Sequence, residues 1–218
     1  MNAKHIRVKI CGLTTEADAA RAAELGADAI GLNFHPPSPR AIDSIQAERI
    51  LRALPPFVTP VGVFVERPLR EVLAKAVTLT GLRAVQWYGN HAQPVEMAPL
   101  RYIPAFNVRS SDDLRTIDRY LEQCAQLGWQ PSAILVDAPR AGTIYGGTGH
   151  AAPWQLLADY RPAVPLILAG GLTPDNVAEA IRLVRPYAVD VASGVEERPG
   201  KKDAEKLRRF IEAARGVG

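Results

Sequence analysis

Cysteine is scarce in this chain. Only Cys11 and Cys124 occur among 218 residues, too few for a disulfide framework, so each thiol has to be judged on its own position. Long apolar runs are missing as well. The longest, such as Val164 to Ala169, are strand-length, far below the ~20 residues a spanning helix needs, and no membrane association is expected. Met1 to Ile10 carries basic residues without an apolar stretch or a small-residue cleavage site, so it does not read as a secretory signal. A cytoplasmic protein is expected. The 26 basic residues exceed the 23 acidic ones by only three, and they are scattered along the chain instead of gathered in an arm or stripe. That pattern argues against nucleic acid and suits a small anionic ligand. No segment is of low complexity, and 47% hydrophobic residues are enough to build one large core.

What the chain does have is alternation. Eight short apolar runs can be read as strands: Arg7 to Cys11, Ala29 to Phe34, Val61 to Val65, Ala84 to Trp87, Tyr102 to Phe106, Ala133 to Asp137, Pro165 to Ala169 and Ala188 to Ala192. Their mostly continuous apolar character is what parallel strands covered on both faces require. Between them, apolar residues fall at helical spacing, as in Leu69, Val72, Leu73 and Ala76; in Val177, Ala180, Ile181 and Val184; and in Ala204, Leu207, Ile211 and Ala214. Thr15 with Asp18 resembles a capping box, Ser111 and Thr173 suit helix starts, Pro174 suits a first helical position, and Gly26 suits a stop. Eight strand-helix units leave little room for insertions, which predicts one closed (β/α)8 TIM barrel, an α/β fold of a single domain over residues 1–218. An open doubly wound sheet competes, but no glycine-rich dinucleotide turn follows the first strand.

In a parallel barrel the chemistry gathers at the carboxyl ends of the strands. The first strand ends in Cys11, just before Gly12. The sixth ends in Asp137, an acid after four apolar residues. Cys124 shares a helical stripe with Ile117 and Leu121 and is assigned to packing. After Asp137 comes a long glycine-rich loop, Arg140 to Gly149, whose Gly146, Gly147, Thr148 and Gly149 suit a mobile lid. Residues 147–152 formally fit a G-x-G-x-x-A pattern but lie well past the strand end, where the pattern has no structural meaning. Gly170 and Gly171 follow the seventh strand, Ser193 and Gly194 the eighth. Glycine turns in those two adjacent loops are the usual phosphate site of this architecture. Pro36, Pro37 and Pro39 stiffen the loop after the second strand, and Arg40 at its end suits a clamp for a carboxylate or phosphate.

Taken together, Lys9-Ile10-Cys11-Gly12-Leu13, Ser38-Pro39-Arg40, Val61-Gly62-Val63-Phe64-Val65, Val85-Gln86, Asp137, Gly146 to Gly149, Leu168 to Leu172, Asp190 to Glu196 and Pro199 to Asp203 resemble the phosphoribosylanthranilate isomerase family, over nearly the whole chain. The resemblance implies a barrel that carries out an Amadori rearrangement of a phosphorylated sugar joined to an aromatic amine, without cofactor or metal. It implies Cys11 as general base, Asp137 as general acid, Arg40 on the anthranilate carboxylate, and backbone around Gly170, Gly171, Ser193 and Gly194 on the phosphate. Trp87-Tyr88 stands where the family usually has Leu-His, and Ala152-Pro153 where it usually has Phe and an acid. Strand alternation puts Lys9 and Cys11 on one face, where a lysine favours the thiolate, and burial raises the Asp137 pKa. Two rival readings are a histidine-pathway or bifunctional phosphoribosyl isomerase, whose first strand typically ends in aspartate, and a non-catalytic barrel scaffold.

Overall fold

The computed structural model describes residues 6–79, 81–91, 98–137 and 153–217. Along the chain run β1 (Arg7–Cys11), α1 (Glu16–Glu24), β2 (Ala29–Asn33), α2 (Ser44–Ala53), β3 (Thr59–Val65), α3 (Leu69–Thr78), β4 (Ala84–Tyr88), β5 (Arg101–Asn107), α4 (Ser111–Gln126), β6 (Ile134–Asp137), α5 (Pro153–Leu156), β7 (Leu166–Ala169), α6 (Val177–Val184) and β8 (Ala188–Val191). A short 3-10 turn, Ser193–Val195, then leads into β9 (Glu196–Arg198), β10 (Lys201–Lys202) and α7 (Ala204–Arg215). Each strand from β1 to β8 pairs in parallel with the next, and β8 pairs with β1, so the sheet closes on itself. β9 and β10 form a separate antiparallel hairpin.

Period-two alternation divides every barrel strand between two cores. Outward residues such as Ile10, Leu32, Phe64, Val85, Ile134, Leu168 and Val189 pack against the helical ring, which supplies Ala47, Val72, Ile117 and Phe210 among others. Inward residues Val61, Ala84, Ile103, Leu135, Ile167 and Ala188 fill the barrel itself. Several inward positions nearest the carboxyl ends are polar instead, among them Cys11, Tyr88, Asp137 and Asp190.

All eight expected strands are present, with some ends displaced by one or two residues: β3, β4 and β5 outrun the expected bounds, whereas β2, β6, β7 and β8 are one residue shorter. β3 begins at Thr59, which pairs with Ala29, and β4 continues to Tyr88, which pairs with Val65. A helix does not follow every strand: the connection from β4 to β5 holds none among its described residues. Two helix starts also shift. Ser110, not Ser111, caps α4, because Asp113 then sits at the third helical position and its carboxylate accepts from the Ser110 amide in return. Thr173 opens a turn closed by the Asn176 side chain, which accepts from the Thr173 amide at 2.8 Å, so α6 begins only at Val177. In α7, Phe210 takes the buried place expected of Ala204, which is exposed. Cys124 is fully buried in α4. Among the described residues, no helix is long and apolar enough to cross a membrane.

Phe64 tests the outer core. It is 1% exposed and stacks on Phe34 with ring centroids 5.1 Å apart. Phe64→Ala is expected to destabilise the fold by about 3 to 5 kcal/mol, read from urea unfolding; a loss below about 1 kcal/mol would mean that this layer repacks freely.

Candidate active site

The polar floor of the barrel mouth begins with Lys9. Its Cα is in register with that of Asp190 across the β1–β8 seam, so the two side chains enter the barrel at one level. Lys9 Nζ donates to both carboxylate oxygens of Asp190 at 2.9 Å, with 3% and 6% of the two residues exposed. Cys11, two residues further along β1, projects to the same side, within reach of the Lys9 charge. Gly31 on β2 makes room for this stack. A methyl group there would lie 2.7 Å from Cys11 Sγ and 3.1 Å from Lys9 Nζ.

Burial alone would lower the Lys9 pKa, but the Asp190 charge and the hydrogen bonds outweigh it and the ammonium is held above its ordinary value. Burial pushes the Cys11 thiol up. Lys9 pulls it down without cancelling that effect, and the Asp190 charge adds to the rise. Lys9 therefore acts on the thiol in the expected direction, yet its charge is shared with Asp190 and desolvation wins, so Cys11 is not a ready thiolate. Asp137, the last residue of β6, is raised above its ordinary value first by burial and then by the Asp190 charge, while the neighbouring Tyr88 hydroxyl opposes the rise.

Cys11 and Asp137 line one cavity of about 230 Å³, together with Tyr88, Gly170, Gly171, Asp190 and Ser193. Gly170 and Gly171 have φ of 93° and 63°, conformations that favour glycine. Gly194 lies so close to the Leu172 carbonyl that a side chain would collide with it, so the turns after β7 and β8 are in direct contact. Three larger hollows, of about 520, 570 and 570 Å³, contain neither Cys11 nor Asp137; one of them shares Tyr88 with this cavity.

Arg40 is not part of the lining of that cavity. Its side chain crosses Gly12, the residue after Cys11, and its guanidinium is held by Glu196 of β9: Nε donates to Oε1 at 2.8 Å and Nη2 to Oε2 at 2.6 Å. One fork of the guanidinium is thus already engaged. Gly146, Gly147, Thr148 and Gly149, expected as a lid, lie outside the described residues, as does Ala152. Of the two departures after Gln86, Trp87 faces outward, 5% exposed, with Nε1 donating to the Arg67 carbonyl at 3.1 Å. Only Tyr88 enters the cavity.

Sequence reasoning did not single out Asp190, Tyr88, Gly31 or the partners of Arg40 as site residues. Asp190 was detectable in principle, as the one acid inside an apolar strand run, but its pairing with Lys9 depends on how the barrel closes.

The stack of Lys9 under Cys11 makes a chemical prediction. Lys9→Met removes the positive charge and leaves the Asp190 charge unneutralised; both effects disfavour the thiolate. The midpoint for alkylation of Cys11 by iodoacetamide should therefore move to higher pH, with buried Cys124 contributing little. A midpoint that stays or falls would remove Lys9 from the account.

With this geometry in place, comparison with known proteins is informative. Residues 8–213 match the sequence profile of the N-(5'phosphoribosyl)anthranilate (PRA) isomerase family. The N-(5'-phosphoribosyl)anthranilate isomerase of Geobacter sulfurreducens is 46% identical over 216 residues, covering 97% of this chain and 99% of that protein. The crystal structure of phosphoribosyl anthranilate isomerase from Thermotoga maritima superposes with a TM-score of 0.81 at 41% identity, covering 97% of this chain and 99% of that one. A further phosphoribosyl anthranilate isomerase, solved in complex with reduced 1-(o-carboxyphenylamino)-1-deoxyribulose 5-phosphate, has a TM-score of 0.79 at 39% identity, with coverage of 97% and 99%. The closed eight-stranded barrel, the family profile and near full-length identity to these enzymes agree, and the chain belongs to the phosphoribosylanthranilate isomerase family, the isomerases of tryptophan biosynthesis.

Proposed function

We propose that this isomerase converts N-(5-phosphoribosyl)anthranilate to 1-(2-carboxyphenylamino)-1-deoxyribulose 5-phosphate, with Cys11 as general base and Asp137 as general acid. The observation that carries the assignment is convergence: a thiol ending β1 and a carboxyl ending β6 line one small cavity beside the glycine turns after β7 and β8. Asp137 in its protonated form donates to the ribose ring oxygen as the C1–O bond breaks and an iminium forms. The positive nitrogen makes the C2 proton acidic. Cys11 as thiolate removes it, and the resulting enolamine tautomerises to the keto product. A positioned acid and base each contribute roughly 10² to 10⁴-fold.

The directions of the two pKa shifts specify how this pair works. Cys11 lies above the ordinary thiol value and Asp137, though raised, starts from the carboxyl range. Near neutrality the pair's proton rests mainly on sulfur, and the reactive arrangement, thiolate with carboxylic acid, is the minor tautomer. Activity then requires one proton on the pair as a whole. It falls below the Asp137 pKa, where both groups are protonated, and above the Cys11 pKa, where neither is.

The phosphate is assigned to the backbone around Gly170, Gly171, Ser193 and Gly194, supported by the contact between their turns and by the anion preference of glycine-bearing turns. The anthranilate carboxylate is assigned to the free edge of Arg40, and residues 146–149 to a lid. The reading of residues 1–218 as one domain, and a cytoplasmic location in keeping with two free thiols, complete the proposal.

Loss of phosphoribosylanthranilate fluorescence, with the substrate generated in situ, provides the assay. Cys11→Ser and Asp137→Asn should each lower kcat by roughly 10² to 10⁴-fold while the fold persists; either variant retaining more than about a tenth of the wild-type rate would reassign that role. The wild-type kcat/KM profile should be bell-shaped, with its alkaline limb above the ordinary thiol range. Because kcat/KM reports free-enzyme groups, an alkaline limb near neutrality would contradict the proposed protonation states.

A further inference from the structure

Arg40 is part of a buried charge cluster whose arithmetic bears on substrate recognition. Glu196 accepts from Arg40 through both oxygens, and its Oε1 also accepts from Lys202 Nζ at 3.0 Å and from the Gly200 amide at 3.3 Å. Lys202 Nζ additionally donates to the Ala192 carbonyl at 3.0 Å. The side chains of Glu196 and Lys202 are 4% and 0% exposed, against 21% for Arg40. The β9–β10 hairpin that carries them is fastened to the loops after β1 and β2. Thr14 Oγ1 donates to the Gly200 carbonyl at 2.6 Å, and a side chain at Gly200 would come within 2.9 Å of the Pro39 carbonyl.

We propose that Glu196 and Lys202 are positioning residues for Arg40: Glu196 fixes the guanidinium through one edge, and Lys202 supplies the second positive charge that lets one guanidinium serve two carboxylates. The inference rests on the assignment of Arg40 to the anthranilate carboxylate. A guanidinium has five N–H donors. The edge formed by Nε and Nη2 is taken by Glu196, which leaves the outer edge of Nη1 and Nη2 as a second parallel fork. Arg40 and Glu196 alone would be a neutral pair, and an arriving carboxylate would meet the Glu196 charge as well as the guanidinium. With Lys202 included, two positive charges face one negative charge, and the cluster keeps a net charge of about +1 for the ligand. Burial alone would raise the Glu196 pKa, but the Arg40 and Lys202 contacts outweigh it and hold the carboxyl below its ordinary value, so it stays ionised at neutral pH. Glu196 does not figure among the groups that shift Cys11 or Asp137 and so acts on binding, whereas the Lys202 charge also reaches Cys11 and lowers its pKa.

Steady-state kinetics of the full chain test this, using the natural substrate and an aniline analogue lacking the ring carboxylate. Glu196→Gln, close in shape, should raise KM for the natural substrate roughly tenfold, about one charge-assisted contact, with kcat within about twofold. The loss should be several times smaller with the analogue. Lys202→Met should act in the same direction, and adding Glu196→Gln to it should recover part of the affinity, because the uncompensated carboxylate is then gone. A purely structural role predicts the reverse, a double variant at least as impaired as the worse single one. For Glu196→Gln, equal losses on both substrates, or a fall in kcat at constant KM, would overturn the inference; Lys202→Met is read through KM, since its charge also reaches Cys11, and Glu196→Gln alone decides if the lysine variants do not fold. Arg40→Ala separates the two readings. If its loss does not depend on the ring carboxylate, the assignment of Arg40 itself fails; if it does while Glu196→Gln is silent, only the positioning role fails.

Discussion

The buried ion pair between Lys9 and Asp190 ties the two ends of the barrel sequence together at the level where chemistry begins. It joins the first strand to the last, with both oxygens of the carboxylate on one ammonium, and it lies directly beneath the thiol. Removing one partner of such a pair typically costs about 3 to 5 kcal/mol, because the other is left charged and unpaired, although the intact pair itself adds little net stability. Its larger consequence is electrostatic. Lys9 acts on Cys11, and Asp190 acts on Cys11 and Asp137, so one salt bridge sets the environment of both the proposed base and the proposed acid. Burial raises both groups; beyond that, the Asp190 charge raises the thiol and the carboxyl further, while the Lys9 charge pulls the thiol down.

A second set of charges holds the rim. Arg40, Glu196 and Lys202 are joined by the hairpin after β8, and the hairpin in turn rests on the loops after β1 and β2. Floor and rim follow the same logic. Each pairs an acid with a cation brought to it only when the barrel closes, since Lys9 is 181 residues from Asp190 and Arg40 is 156 from Glu196. The glycines have the complementary task of leaving space, Gly31 for the thiol and Gly194 for the Leu172 carbonyl.

The barrel was legible in the sequence because its evidence is local: β-branched runs, helical stripes and strand-end glycines repeat at short range, and closure follows from having eight units. Strand-end placement singled out Cys11 and Asp137 as candidates for the same reason, and the family resemblance suggested their roles. Less legible was anything that depends on register between distant strands. Lys9 was placed on the correct face by alternation and acts on the thiol in the expected direction, but nothing local indicated that its charge would be shared with Asp190 or that burial would outweigh it. Likewise a stiff loop ending in Arg40 suggested a free clamp, whereas one of its edges is held by a glutamate from the far end of the chain. Helix starts moved by one residue at Ser110 and by one turn at Asn176, because side-chain caps choose among several eligible polar residues.

The central claim is that Cys11 and Asp137 act on neighbouring atoms of one bound ribose. The most direct test is a crystal structure of this chain with the reduced product analogue. The account predicts Cys11 Sγ against C2 of the ribulose chain, roughly 3 to 4 Å away, Asp137 within hydrogen-bond reach of the oxygen released from the ring, and the phosphate on the Gly171 and Gly194 turns. An analogue bound with its phosphate at those turns but with C2 turned away from Cys11 would contradict it.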